Sequence, residues 1–169
     1  MNAKLLASLS PLAAMALVSG GLLLGARGSA AESDRQPQRA GQSLVGTWRT
    51  QVTLVNCATG KPVGAPAFPA LLTFARGGTA TETTANSFFP ALRSPGHGAW
   101  VSQGGQSYRA ATTAFISRDG ALFRTQTISQ EIEVDDDTFS STATTEFFDP
   151  AGTLVLKACA TATGERYQL

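Results

Sequence analysis

From Leu44 onward, the chain alternates apolar and polar residues in short segments that Gly and Asp turns separate. Side chains of a β-strand point alternately to the two faces of a sheet, so this period of two predicts half-buried strands. No segment of this region has the spacing of an amphipathic helix. The pattern predicts eight strands, over residues 45–56, 67–75, 79–85, 99–102, 107–117, 121–134, 138–148 and 153–163.

The connections between these segments favour hairpins. Asp119-Gly120 and Asp149-Pro150-Ala151-Gly152 are good turn sequences, and a long loop with two prolines is predicted over residues 86–98. At 169 residues the chain has the size of one domain. We therefore predict an all-β fold, a single eight-stranded antiparallel up-and-down barrel, in which closure removes both sheet edges. An open β-sandwich is the alternative.

The first 31 residues predict a signal peptide. Lys4 supplies the positive start, residues 12–26 form the apolar centre, and Ser29 and Ala31 fit the small-residue cleavage pattern. An uncleaved membrane anchor over residues 5–26 is the alternative. Residues 32–42 predict a flexible leader, and residues 43–169 the barrel domain. The expected location is secreted or periplasmic, with no stable membrane anchor after cleavage.

The charge balance excludes one class of partner. The formal net charge is only +1, so the chain lacks the basic excess of a dedicated nucleic-acid binder. No nucleic acid is expected as a partner, and the sequence names no protein partner. A small-molecule ligand is the candidate partner.

Cys57 and Cys159 are the only cysteines. In a secreted chain they predict a disulfide, which would close a loop of about 100 residues and contribute roughly 4–5 kcal/mol in the chain-entropy model. A redox pair or a metal site is the alternative, but a metal site needs more ligands. In a pair of antiparallel strands, the numbers of two residues that lie opposite each other have a constant sum. The sums for Cys57 with Cys159 and for Trp48 with Arg166 differ by only two, so one pairing of the first and last strands serves both.

Gly46-Thr47-Trp48 in the first strand, together with Arg166 near the chain end, resembles the signature of the calycin superfamily, which includes lipocalins, fatty-acid-binding proteins and avidins. The resemblance implies that Trp48 plugs the barrel base and that Arg166 packs across it, a cation–π contact of about 0.5–2 kcal/mol. The domain also resembles small secreted bacterial barrels of unassigned function, through residues 55–60, 71–74, 94–98 and 147–150. A lipocalin-type C-terminal helix and avidin-type biotin contacts are not evident, so the resemblance implies the barrel and leaves the ligand open.

Alternation from an inward Trp48 predicts the barrel lining. Phe68 and Phe74 of the second strand face inward, and in the sixth strand Arg124 and Gln126 share a face with apolar residues. Glu82 of the third strand is a candidate inward acid, for which Arg124 would be the charge partner because a buried charge needs one. The alternative is a bulge that turns these polar groups to solvent. The predicted ligand contacts are Phe68, Phe74, Arg124 and Gln126.

The remaining motifs give weak chemical signals. His97, the only histidine, is a candidate general base with Glu82 and Arg124, or else a loop residue between two glycines. Asp135-Asp136-Asp137 lacks the spacing of a calcium loop and reads as a solvated hairpin tip. No metal site and no cofactor are expected.

The long loop carries the apolar residues Phe88, Phe89 and Leu92. They predict a lid over one barrel end or a contact patch, or else a plug that folds back into the interior.

Three functions remain open at this point. The first is binding of a small, partly apolar molecule in the barrel. The second is a cavity enzyme that resembles allene oxide cyclase, which acts by cyclisation or isomerisation and would use Glu82, Arg124 and His97. The third is a structural or protein-interaction module with a filled core.

Overall fold

The computed structural model describes residues 43–85 and 92–168, and the regular structure of these residues is entirely antiparallel β. The predicted signal peptide (residues 1–31), the predicted leader (32–42) and the candidate lid residues Phe88 and Phe89 lie outside the described residues. The strands are β1 Gly46–Val55, β2 Phe68–Phe74, β3 Thr79–Thr84, β4 Leu92–Arg93, β5 Gly96–Gly104, β6 Ser107–Arg118, β7 Ala121–Asp135, β8 Thr138–Phe148 and β9 Leu154–Arg166.

Eight of these strands close into a barrel. Each is hydrogen-bonded to the next in the order β1, β2, β3, β5, β6, β7, β8 and β9, and β9 pairs with β1. The predicted closed all-β barrel is confirmed, and the sandwich alternative is wrong. Every barrel strand has two neighbours in this order. Among residues 43–85 and 92–168, the short β4 adds a further pairing, with β6 beside the start of β5.

The loop predicted over residues 86–98 extends too far at its C-terminal end. Residues 92–93 form β4, and β5 begins at Gly96, three residues earlier than predicted. Gly98 is the physical reason for the difference. A Cβ at this position would overlap the backbone of Ala111 on the paired strand, so the glycine marks a close approach of two strands where the sequence suggested a turn.

The apolar core lies at the end of the barrel where β1 begins and β9 ends, here called the base. Trp48 is fully buried, and its indole Nε1 donates a hydrogen bond to the carbonyl of Leu44 over 2.9 Å. Phe139 packs edge-to-face on Trp48 with the ring centroids 5.1 Å apart. The Phe139 ring occupies the space that a side chain at Gly164 would need. The base is therefore filled with side chains.

The first and last strands meet in the predicted register. Trp48 lies opposite Arg166, and Val55 lies opposite Cys159. Cys57 and Cys159 form a disulfide with their Cα atoms 5.1 Å apart, which confirms the predicted bond. The bond ties the chain just after β1 to β9 at the end of the barrel away from the base, while Arg166 ties the same two strands at the base.

Candidate functional site: a cavity in the barrel interior

A cavity of about 540 Å³ lies inside the barrel, between the base core and the opposite end. Its lining is mainly apolar. Small side chains on one stretch of wall leave much of this space, because alanines 158, 160 and 162 of β9 and Ala143 of β8 all line it. The larger apolar lining residues are Val52, Leu54, Phe68, Leu72, Leu92, Ile116, Ile128, Phe147 and Leu156.

A chain of polar side chains crosses one wall of this cavity. Arg93 of β4 forms an ion pair with Glu82 of β3 through Nη2 and Oε1. Its Nε donates to Oε1 of Gln126 on β7 over 2.5 Å, and its Nη1 donates to the carbonyl of Ser94 over 3.1 Å. We call Glu82, Arg93 and Gln126 the polar wall. All three line the cavity, and the charges of Glu82 and Arg93 cancel.

The carboxylate of Glu82 is buried, with only 2% of its side chain exposed. Gly96, its neighbour on β5, makes room for it, because a Cβ at that position would overlap the carboxylate. Leu72 is its neighbour on the other side, in β2. Glu82 therefore lies at the depth where the base core gives way to the cavity, and the fold holds it there by omitting a side chain beside it.

Three oxygen atoms of cavity-lining residues are buried and have no hydrogen-bond partner among the residues that the structure describes. They are Oε2 of Glu82, Oγ1 of Thr50 and Oγ of Ser141. A buried polar atom without a partner costs roughly 1–3 kcal/mol, and most native structures contain few of them. These atoms belong to residues of β3, β1 and β8 that line the same cavity.

The predicted ligand contacts divide into two groups. Phe68 and Gln126 line the cavity. Phe74 faces inward as predicted but belongs to the base core, where its ring centroid lies 6.3 Å from that of Trp100. Arg124 lies outside the lining, with its guanidinium 4.8 Å from the centroid of the Phe123 ring.

The candidate catalytic residues are not brought together. Glu82 faces inward, but its charge partner is Arg93, so the expected pairing with Arg124 is wrong. His97 is exposed on the outer face of β5, where it pairs with Thr81 and Thr113 of the neighbouring strands. Alternate residues of a strand face opposite sides of the sheet. In β5 the inward positions are even-numbered and include Gly96 and Trp100, so His97 faces outward.

Arg93 is the site residue that sequence reasoning missed. It lies within the segment predicted as loop, where alternation gives no inward or outward assignment. The signal available in the sequence was the inward Glu82, because a buried carboxylate demands a cation. Arg93 and Arg124 both satisfied that demand, and only the pairing of β4 with β6 decides between them.

The base holds the other predicted structural pair. The guanidinium of Arg166 lies 4.2 Å from the centroid of the Trp48 ring, as the resemblance implied. Its Nε donates to Oδ1 of Asp137 over 2.7 Å, so one aspartate of the predicted solvated tip also anchors Arg166. The described ranges contain no cluster of three or more His, Cys, Asp or Glu residues able to hold a metal ion.

Comparison of the chain with protein-family models, with curated proteins and with solved structures finds no match. The closed barrel and the Trp48–Arg166 contact are compatible with a calycin-like fold. Within residues 43–85 and 92–168, no helix has the length and apolar character of a membrane span. The disulfide is consistent with an extracellular or periplasmic location.

Proposed function

We propose that the protein is a secreted, calycin-like barrel that binds one small, partly apolar molecule in its interior. The observation that carries the proposal is the cavity of about 540 Å³ with a mainly apolar lining and the polar wall. Ligand sites of proteins are typically cavities of about 300–1,000 Å³ with a few convergent polar groups. The apolar lining would hold the body of the ligand, and the polar wall would orient it.

The interior also bears on the two alternatives. A module with a filled core would have large side chains at the positions where β9 of this barrel has alanines. A cavity enzyme built on Glu82, Arg124 and His97 would need at least two of them at one cavity, and only Glu82 lines this one. Binding therefore has more support than either catalysis or a purely structural role.

Secretion belongs to the same proposal. A disulfide persists in oxidising compartments and is rare in the cytosol. Together with the apolar segment and small-residue cleavage pattern of residues 1–31, the Cys57–Cys159 bond supports export of the protein.

Filling the cavity tests the proposal. Ala160 is 8% exposed and lines the cavity, so Ala160→Phe should occupy part of the space that the ligand needs. We expect this variant to lose at least about tenfold in affinity for N-phenyl-1-naphthylamine, a neutral apolar probe whose fluorescence rises on burial. Phenylalanine adds volume to a cavity here, so overpacking should cost less than in a filled core.

The matched control is Ala99→Phe, the same change at an exposed position on the outer face of β5. It should leave the affinity for the probe unchanged. Equal affinities of the wild type, Ala160→Phe and Ala99→Phe would place the probe outside the barrel and contradict the proposal.

A further inference from the structure

The polar wall indicates the charge and the polar group of the ligand, which the cavity volume alone does not. We propose, on the basis of the function proposed above, that the cavity selects a neutral, mostly apolar molecule carrying a hydroxyl group, and discriminates against an apolar carboxylate of the same length. The chemistry of Glu82 and of the cation beside it leads to this selectivity.

An unpartnered carboxylate oxygen specifies a donor. Oε2 of Glu82 is buried and has no hydrogen-bond partner among the described residues, while Oε1 is paired with Arg93. An ionised carboxylate can only accept hydrogen bonds. The ligand group that satisfies this oxygen must therefore bring an O–H or N–H, which a ligand carboxylate lacks.

The guanidinium of Arg93 is already engaged. Each of its three nitrogens donates a hydrogen bond within the protein, to Glu82, Gln126 and the carbonyl of Ser94. Only 13% of its side chain is exposed. An anionic ligand would meet an arginine whose charge is balanced, next to a carboxylate that repels it. A cationic ligand would meet the reverse conflict with Arg93.

A neutral hydroxyl group meets the requirement that Glu82 sets. It can donate to Glu82 and at the same time accept from another group. Oγ1 of Thr50 and Oγ of Ser141 are hydroxyls that can donate or accept, and both are unpartnered among the described residues that line this cavity. A neutral hydroxyl adds no charge to a wall whose two charges already cancel.

Three probes with one chain length test the selectivity. We would titrate the full-length exported protein with 1-decanol, decanoate and decylamine at neutral pH by isothermal titration calorimetry. We expect 1-decanol to bind about tenfold to a hundredfold more tightly than either ion, the range for a hydrogen bond to a charged group. Decanoate or decylamine binding as tightly as 1-decanol would overturn this inference and leave the proposed function intact. Failure of all three to bind would overturn both.

Glu82→Gln replaces the carboxylate with an amide that can donate. The preference for 1-decanol over decanoate should fall to about one or reverse, because Arg93 then lacks its carboxylate partner. Glu131→Gln is the matched control, since Glu131 forms an exposed ion pair with Arg109 on the outer face. It should keep the wild-type preference.

If the single variant does not fold, Glu82→Gln is combined with Arg93→Gln, because the double variant leaves no unpaired charge in the wall. It too should lose the preference for 1-decanol. An unchanged preference for 1-decanol over decanoate in either folded variant would show that Glu82 does not determine the selectivity of the cavity.

Discussion

Arg166 joins parts of the chain that are distant in sequence. Its Nη1 donates to the carbonyl of Val45 over 2.8 Å and its Nη2 to the carbonyl of Ser43 over 2.9 Å, while its face covers Trp48. With the bond to Asp137, one planar side chain fastens the entry to β1, the β7–β8 turn and β9. A lysine has the charge but not the fixed fork that these contacts require.

Replacing Arg166 with lysine should therefore destabilise the barrel. We expect Arg166→Lys to lower the free energy of unfolding by about 1–3 kcal/mol, as measured by urea denaturation. The control is Arg49→Lys, because the Arg49 guanidinium also lies over an aromatic ring, that of Tyr167 at 4.5 Å, but on the exposed outer face. Its effect should stay within about 0.5 kcal/mol. Equal losses in both variants would mean that the fork of Arg166 contributes nothing specific.

The polar wall shows where residue-level prediction succeeds and where it ends. Strand parity offered Glu82 as a candidate inward residue, with an outward position through a bulge as the alternative, and the structure places it inside. The partner of Glu82 depends on which strand lies beside which, and that information is not local. The sequence alone does not tell whether Arg93 or Arg124 neutralises the carboxylate. The pairing of β4 with β6 brings Arg93 to it.

At the scale of elements, the disulfide acts on the pairing of β1 with β9. Cys57 lies just beyond the last residue of β1, and Cys159 lies opposite Val55 in the β1–β9 register. The bond spans 102 residues of sequence, so it removes a large loop-closure entropy from the unfolded chain. It therefore stabilises the closure of the barrel, the step that brings the ends of the domain together.

Breaking this disulfide should lower the melting temperature strongly, and only under non-reducing conditions. We expect Cys57→Ala to lower the melting temperature by about 10–20 °C under non-reducing conditions, from a loss of roughly 4 kcal/mol. A reductant should lower the melting temperature of the wild type by a similar amount and leave that of the variant unchanged. A wild type that melts at the same temperature with and without reductant would contradict a stabilising role.

The elements themselves were largely predictable. Turn sequences such as Asp119-Gly120 lie at the hairpin tips, where Asp119 adopts a positive φ of 52°. The exceptions are β4, which lies in the segment predicted as loop, and the start of β5, because Pro95 and the glycines around His97 have the composition of a loop. Their role becomes visible only when the facing strands are known, since Gly96 makes room for Glu82 and Gly98 for the backbone of Ala111.

At the scale of the whole molecule, a closed barrel follows from hairpins in succession, which is why the fold was predictable from local patterns. Whether its interior is hollow follows from the summed volumes of side chains on many strands. The alanines of β9 leave free space, but the filled base around Trp48 and the cavity beyond it become distinct only in three dimensions.

The central claim is that this interior holds a small molecule. The most direct measurement is native mass spectrometry of the full chain exported with its own leader into an oxidising compartment, before and after extraction with organic solvent. We expect one discrete added mass that extraction removes, that returns when the extract is added back, and that is absent from Ala160→Phe. The same added mass on the wild type and on Ala160→Phe, or a mass that neither extraction nor re-addition changes, would contradict the claim.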